Sequence, residues 1–391
     1  DSEIFIPLKY QTMIEISAYG GFDLAIGICH ICGFGNFIKD AEKGFAIITK
    51  YYENNKNDNL SQNILGFLHY CNKIGPLKGF AWKDNDKKLF EFFSKSAEQG
   101  DAYGQYRLGV CYNDGSGVEE DNEKAFDLFM KSAKQGLAAG QYRVGRAYLY
   151  GFGVTRDFEQ AVQWLAKSGE QGYVRSQNML GIEFETTYDK KDYTKAYEWY
   201  KKASEVGFAD SSKNIGDLYD KGDTDFPKDE EKALEWYKLA IEQNSNLLNL
   251  IGSHYLFRLK YKLAFEFYTK STQQNKDAES MADIARMYRM GQYVERDYKK
   301  AEEWYQKAAD HCKDCGQYDY ELAKLYHEGN VFPQNYSKAF ENYMKAIEKT
   351  NEEDSESLNY AQMSQKQLGI MYKNGEGVRK SYKKALAYFT K

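Results

Sequence analysis

Residues 105–109 read Gln-Tyr-Arg-Leu-Gly, and 36 residues later residues 141–145 read Gln-Tyr-Arg-Val-Gly. Each copy runs on through a Gly-x-Gly-Val turn, at Gly115 and Gly151, into a second segment that ends in Gln-Gly. A unit of this length cannot bury its apolar face alone, so a chain that repeats it has to stack neighbours into a solenoid. Such a fold displays a long surface of similar helices and usually has no deep catalytic pocket.

Further copies align on the glycine of the first segment, giving anchors at Gly27, Gly66, Gly109, Gly145, Gly181, Gly216, Gly252, Ala285, Ala323 and Gly369. The spacings cluster near 36 in the middle of the chain and loosen toward the ends. A second ladder, Ala125, Ala161, Ala196, Ala233, Ala264, Ala301, Ala339 and Ala385, moves in step with the first and marks the second helix of each unit. The fold expected is all-α: a right-handed α/α superhelix of about ten helix-turn-helix repeats of roughly 36 residues. Residues 1–58 are expected to form a divergent N-terminal cap and first repeat. Residues 59–391 should form the solenoid proper, with the last repeat cut short, and no further domain split is expected because a solenoid has no single core to outgrow.

Residues 101–136 show the physics of one unit. Leu108, Gly109 and Tyr112 fall on one face of a helix over about 103–113, and the missing side chain at Gly109 lets the partner helix approach closely. Gly115 and Gly117 break that helix, because glycine reaches the positive φ that a C-terminal cap requires. Asp121 then precedes the second helix, where a carboxylate can cap free backbone donors. Ala125, Phe126, Phe129 and Ala133 line the inner face of that helix.

These residues resemble the Sel-one-like repeat (SLR) family, the tetratricopeptide-related solenoids with a longer, Gly-rich turn between the helices. Residues 101–172 carry the family pattern most fully. The Lys-Ala-x-Glu-Trp-Tyr segments ending at Tyr200, Tyr237 and Tyr305 supply its second-helix half, and Leu368 to Val378 its first-helix half. Units five to nine depart from it by losing the Gly-x-Gly turn, and an acidic insert, residues 351–356, precedes the last unit. The resemblance implies a protein-interaction module; family members serve as adaptors in protein degradation, as activators in cell-wall synthesis and as host-interaction or signalling proteins.

Several function classes fall away on composition. Formal net charge is −5, with Lys and acidic residues mixed along the chain, so no long basic stripe offers itself to nucleic acid. No apolar run is long enough to span a membrane, and residues 1–15 lack the basic start and apolar centre of a signal peptide. A start at Asp1 without Met and an end at Lys391 inside a second helix suggest a trimmed or partial chain. No P-loop, nucleophile elbow or His-Glu-x-x-His motif is present, and the Gly-x-Gly pairs follow helices where a phosphate loop follows a strand, so no enzyme and no cofactor is expected. His30 and His69 stand three residues after their repeat glycines, where Tyr112 and Tyr148 stand elsewhere, and are expected to pack. Two Cys-x-x-Cys pairs, Cys29/Cys32 and Cys312/Cys315, lie too far apart to share a metal, so no metal site is expected. Core packing is expected for Cys29 and Cys32. For Cys312 and Cys315 the sequence leaves open a local disulfide or a pair of reduced thiols, and favours the thiols.

In right-handed helix-pair solenoids the first helices line the concave face, and four positions around the repeat glycine point into the groove. Those positions differ from unit to unit: Tyr103, Tyr106, Val110 and Asn113, then Arg146 and Leu149, Arg175, Asn178 and Glu185, Lys213, Asp217 and Asp220, Ser253, Arg286 and Arg289, Lys324 and His327. The partner-binding set expected from them is Arg146, Arg175, Asn178, Lys213, Asp217, Ser253, Arg286, Arg289 and Lys324, contacting another protein or a peptide. Lysine is the default cation here, so four of only ten arginines on one face argue for recognition. Two other readings stand beside this one: a structural subunit of a large assembly, and a regulatory repeat region of a larger signalling or host-interaction protein. The sequence says nothing about oligomeric state, and of the compartment only that a soluble, intracellular chain is favoured.

Overall fold

The computed structural model describes residues 23–32, 40–74, 85–186, 191–223, 226–328, 334–349 and 355–390. Residues 1–15, most of the acidic insert at 351–356 and Lys391 therefore lie outside the described residues, as does the side chain of Cys32. Twenty helices and no strand occur among the described residues. They gather into two compact units, Asp1–Asp229 and Glu230–Lys391, a division that the repeat pattern does not announce.

The first unit holds α1 (Asp23–Cys32), α2 (Ala41–Asn54), α3 (Asn59–Ile74), α4 (Asn85–Glu98), α5 (Ala102–Asp114), α6 (Asn122–Lys134), α7 (Ala138–Tyr150), α8 (Phe158–Glu170), α9 (Val174–Thr186), α10 (Tyr193–Glu205) and α11 (Ala209–Lys221). The second holds α12 (Glu230–Gln243), α13 (Leu247–Phe257), α14 (Tyr261–Gln274), α15 (Ala278–Met290), α16 (Tyr298–His311), α17 (Gly316–Glu328), α18 (Tyr336–Glu348), α19 (Ser355–Asn374) and α20 (Tyr382–Phe389). Within each unit consecutive helices pack as hairpins, and each hairpin packs on the next.

Local chemistry sets the helix ends. Asp121, Asp157, Asp192 and Asp297 are the N-caps of second helices, each accepting a hydrogen bond from the backbone N–H three residues on. Gly115, Gly151, Gly291 and Gly375 close first helices in the left-handed conformation.

Both ladders are packing positions. A Cβ placed on Gly109 would come within 2.7 Å of the Phe129 ring, and one on Gly145 within 2.6 Å of Leu165. Gly181 and Gly252 meet Tyr200 and Tyr268 in the same way. The alanine ladder is buried throughout, from Ala125 to Ala385. Four residues beyond five of these alanines stand Tyr200, Tyr237, Tyr268, Tyr305 and Tyr343, whose side chains are fully buried. His30, His69, Cys29 and Cys111 are buried, and His69 stacks on Phe92 with centroids 5.9 Å apart.

A polar ladder runs beside the apolar ones and explains the Gln-Tyr-Arg motif. Gln99 donates to Gln62 at 3.0 Å, Gln135 to Gln105 at 2.8 Å and Gln171 to Gln141 at 2.7 Å. The glutamine that ends one second helix thus holds the glutamine that starts its own first helix. In the second unit Lys349 makes the same contact with Asp319, while Asn275 donates to the backbone carbonyl of Ser245.

Cys312 and Cys315 form a disulfide across the turn between α16 and α17, where the sequence favours reduced thiols. The turn brings their Cα atoms to 5.4 Å, inside the range a disulfide spans, a distance that residue spacing alone does not fix.

Candidate partner-binding face

First helices touch their neighbours at α3–α5, α5–α7 and α9–α11 in the first unit and at α17–α19 in the second, which brings polar side chains of successive repeats together. On the strip of the first unit, Asn178 of α9 accepts from Ser211 at 2.8 Å and from Asn214 at 3.3 Å, both on α11. Lys213 pairs with Asp217 one turn later at 2.6 Å. Glu185 accepts from Lys221 at 2.7 Å and from the hydroxyl of Tyr200 at 2.9 Å. Burial, and then the charge of Glu185, push that hydroxyl's pKa far up, so Tyr200 stays a neutral donor. Arg175 is exposed.

Arg146 lies between the rings of Tyr142 and Tyr150, 5.8 and 5.7 Å from their centroids. It lines a cavity of about 230 Å³ together with Asn113, Phe126, Phe129, Arg143 and Phe152. Arg143, which the register argument passed over because it stands two residues before the glycine, lies over Phe129 at 5.7 Å. Val110 and Asp220, expected on the groove, are instead buried, at 7% and 2% exposure. Val110 packs with Ala125, Phe129 and Val144, because the position after the repeat glycine sits between the helix and its neighbours here.

In the second unit the strip is dominated by ion pairs. Ser253 meets the hydroxyl of Tyr268 at 3.0 Å. Arg286 pairs with Asp283 at 2.8 Å, Arg289 with Glu321 of α17 at 3.2 Å, and Lys324 with Glu328 at 3.9 Å. His327 bridges Tyr343 at 3.4 Å and Glu376 at 3.1 Å. Arg286 and Arg289 are thus already matched by carboxylates of their own unit. Ser253, Tyr268, Asp283, Arg286, Glu321 and Tyr360 are among the residues around a second cavity of about 410 Å³.

The hydroxyls of the buried tyrosines give this strip part of its character. Their rings fill the core, and the oxygens of Tyr200, Tyr237, Tyr268 and Tyr343 reach the first helices, at Glu185, His254, Ser253 and His327. The signal was in the sequence, in the tyrosine that follows five of the ladder alanines by four residues, but its partners stand at varying first-helix positions.

Burial pushes Asp283 up to about 6, against the lowering effect of Arg286. A carboxyl raised in the fold is held more favourably when protonated. Its contribution is complete below the unfolded value of about 3.9 and is lost as pH rises through about 6. Raising the pH from 4.5 to 7.5 is expected to remove about 2 kcal/mol at this site. Urea unfolding of the wild type and of Asp283→Asn at both pH values tests this: the difference between the two proteins should change with pH, and parallel behaviour would contradict it.

Among the described residues no cluster of three His, Cys, Asp or Glu is placed to hold a metal ion. No helix among them is long and apolar enough to cross a membrane.

Comparison with known proteins agrees with this geometry. The Sel1 repeat family model matches residues 61–101, 102–137, 138–173, 174–208, 209–245, 278–311, 318–351 and 362–391, well over half of the chain. Residues 246–277 escape it, yet they fold as the α13–α14 hairpin with Gly252 against Tyr268. A protective antigen of uropathogenic Escherichia coli with an SLR fold is similar at 25% identity and TM-score 0.54, over 97% of this chain and 78% of that one. A Sel1 repeat protein of Oxalobacter formigenes is 23% identical, with TM-score 0.44, over 88% of this chain and 87% of that one. A search of the curated proteins found no match. Sel1 repeat solenoids typically serve protein–protein interaction and are in general scaffolds without catalytic activity. With eight matched repeats and the fold of such a solenoid, the chain belongs to the Sel1 repeat family.

Proposed function

We propose that this chain is a non-enzymatic scaffold or adaptor that holds a partner protein or peptide on the face formed by its first helices. The observation that carries this reading is the contrast between two classes of position. Packing positions repeat from hairpin to hairpin as Gly, Ala and Tyr, whereas the polar first-helix positions change at every step: Arg146, Arg175 with Asn178, Lys213 with Asp217, Ser253, Arg286 with Arg289, and Lys324. Packing does not dictate that variety, and side chains held on rigid helices can fix a partner with several modest contacts. The mixed charge and net −5 disfavour nucleic acid as the partner.

Arg286 and Arg289 are poor probes of this face, because reversing them breaks internal pairs. Reversal of the exposed Arg175, in Arg175→Glu, is the better test, with Lys131→Glu plus Lys167→Glu on second helices as the control. Each protein is recovered under gentle conditions from its native source and its co-purifying proteins are quantified. Arg175→Glu should reduce a partner at least tenfold and the control pair should not. Equal retention in both would sink the assignment and favour a structural subunit held by other surfaces, for which the exposed Phe257 is a starting point.

A further inference from the structure

We propose that Cys312 and Cys315 are a reversible thiol–disulfide couple that exchanges with external dithiols, with the sulfur of Cys312 as the point of attack and that of Cys315 as the leaving thiolate. The couple lies in the turn between α16 and α17 and does not depend on what the first-helix face binds.

The cross-link is not needed to close the turn. Four earlier turns at the same place in the repeat close on Gly100, Gly136, Gly172 and Gly207 at positive φ, and none of them contains a cysteine. A disulfide stabilises by restraining the unfolded chain, the more so the longer the loop it closes, and this one joins residues only 3 apart. Ala308, Ala309, Tyr318 and Leu322 already join α16 to α17 in the core, and Lys349 bonds both the carbonyl of Ala309 and the carboxylate of Asp319. A staple adds little to that.

Both cysteines are within reach of a second molecule. They are half-buried, and Lys313 and Asp314 between them are exposed, as is His311. Cys29 and Cys111, by contrast, are buried.

The two sulfurs are not equivalent. Cys312 is the C-cap of α16, its N–H on the carbonyl of Ala308, and so sits at the negative end of a helix. Cys315 directly precedes Gly316, the first residue of α17, whose opening N–H groups have no acceptor within the helix. A thiolate is therefore stabilised at Cys315 and disfavoured at Cys312. The side chains between them, Lys313 and Asp314, cancel in charge and leave the helix ends to decide.

The better leaving group sets the direction of exchange. A thiolate of the external dithiol attacks the sulfur of Cys312. A new S–S bond forms there, the Cys312–Cys315 bond breaks, and its electron pair leaves on Cys315. The second thiol of the reductant then attacks its own bound sulfur, releases Cys312 and closes the reductant's disulfide. Two electrons and two protons have passed to the pair. In reverse, the Cys315 thiolate attacks Cys312 in the mixed disulfide and expels the partner.

The test uses the full wild-type chain at pH 7, with mass spectrometry of the peptide that holds both cysteines. Millimolar dithiothreitol should reduce the pair in the folded chain at a rate within tenfold of that in the urea-unfolded chain, and oxidised glutathione should restore the bond. A wider gap between the two rates would make the pair a sheltered staple, and failure to re-form the bond would make it a pair of plain thiols. Either result overturns the proposal. Cys312→Ser and Cys315→Ser then separate the two sulfurs: iodoacetamide should alkylate Cys315 in the first variant at least tenfold faster than Cys312 in the second. Equal rates, or the opposite order, would overturn the assignment of the leaving sulfur.

Discussion

Gly153→Ala is expected to cost about 3–4 kcal/mol, while Gly172→Ala costs about 1–2 kcal/mol. Both glycines have positive φ, +67° and +86°, where a side chain strains the backbone. A methyl group on Gly172 meets nothing within 4 Å, so only that strain is felt. On Gly153 it would run into the carbonyl of Asn122, the first residue of α6 in the preceding hairpin. Backbone cannot rotate away as a side chain can, so overpacking adds to the strain. Gly117 meets the carbonyl of Asp86 at the start of α4 in the same way. The second glycine of the turn therefore permits one hairpin to lie on the next, while the first ends the helix. Urea unfolding of the two variants measures the difference, and equal costs would remove this role of the turn.

Lys349→Ala is expected to cost about 2–3 kcal/mol, below the ~3–5 kcal/mol of a fully enclosed pair because the lysine side chain keeps 23% exposure. Its Nζ lies 2.6 Å from Asp319, whose side chain is only 4% exposed, and 3.3 Å from the carbonyl of Ala309. Burial already raises the pKa of Asp319, with the Lys349 hydrogen bond and charge pulling it back. Without the lysine a buried carboxylate is left unmatched. The double variant Asp319→Gln plus Lys349→Gln should return to within about 1 kcal/mol of the wild type, because it installs the neutral pair that Gln105 and Gln135 form at the same place. Urea midpoints, with hydrogen exchange of α16 to α18 as a local readout, decide the matter. A single variant as stable as the double would show that the pair contributes nothing.

The repeat itself was legible because its marks are steric and periodic. A helix that another helix approaches closely needs Gly or Ala at one position, and Gly109, Gly145 and Gly181 recur with that spacing whatever surrounds them. Caps such as Asp121 and Asp157 were legible for the same local reason. Contacts between residues about thirty apart were not, since nothing in Gln105 alone names Gln135 as its partner, and nothing in Asp319 names Lys349.

The face was only half legible. Register placed Arg146, Arg175 and Lys213 on first helices, but it cannot tell an arginine that is free from one already matched. The scarcity of arginine pointed equally to Arg286 and Arg289, which Asp283 and Glu321 satisfy. It passed over Arg143, whose neighbour Phe129 comes from the preceding helix. The free cations lie where aromatic rings, rather than carboxylates, hold the guanidinium group.

Whether a partner occupies the first-helix face is tested most directly by position-specific photo-crosslinking. A photoreactive residue replaces Arg175 or Lys213 on first helices, or Lys131 or Lys167 on second helices, in the full chain in its native source, and mass spectrometry identifies the adducts. One and the same foreign protein should be crosslinked from positions 175 and 213 and absent from positions 131 and 167. Adducts from the second helices alone, or equally from all four positions, would contradict it.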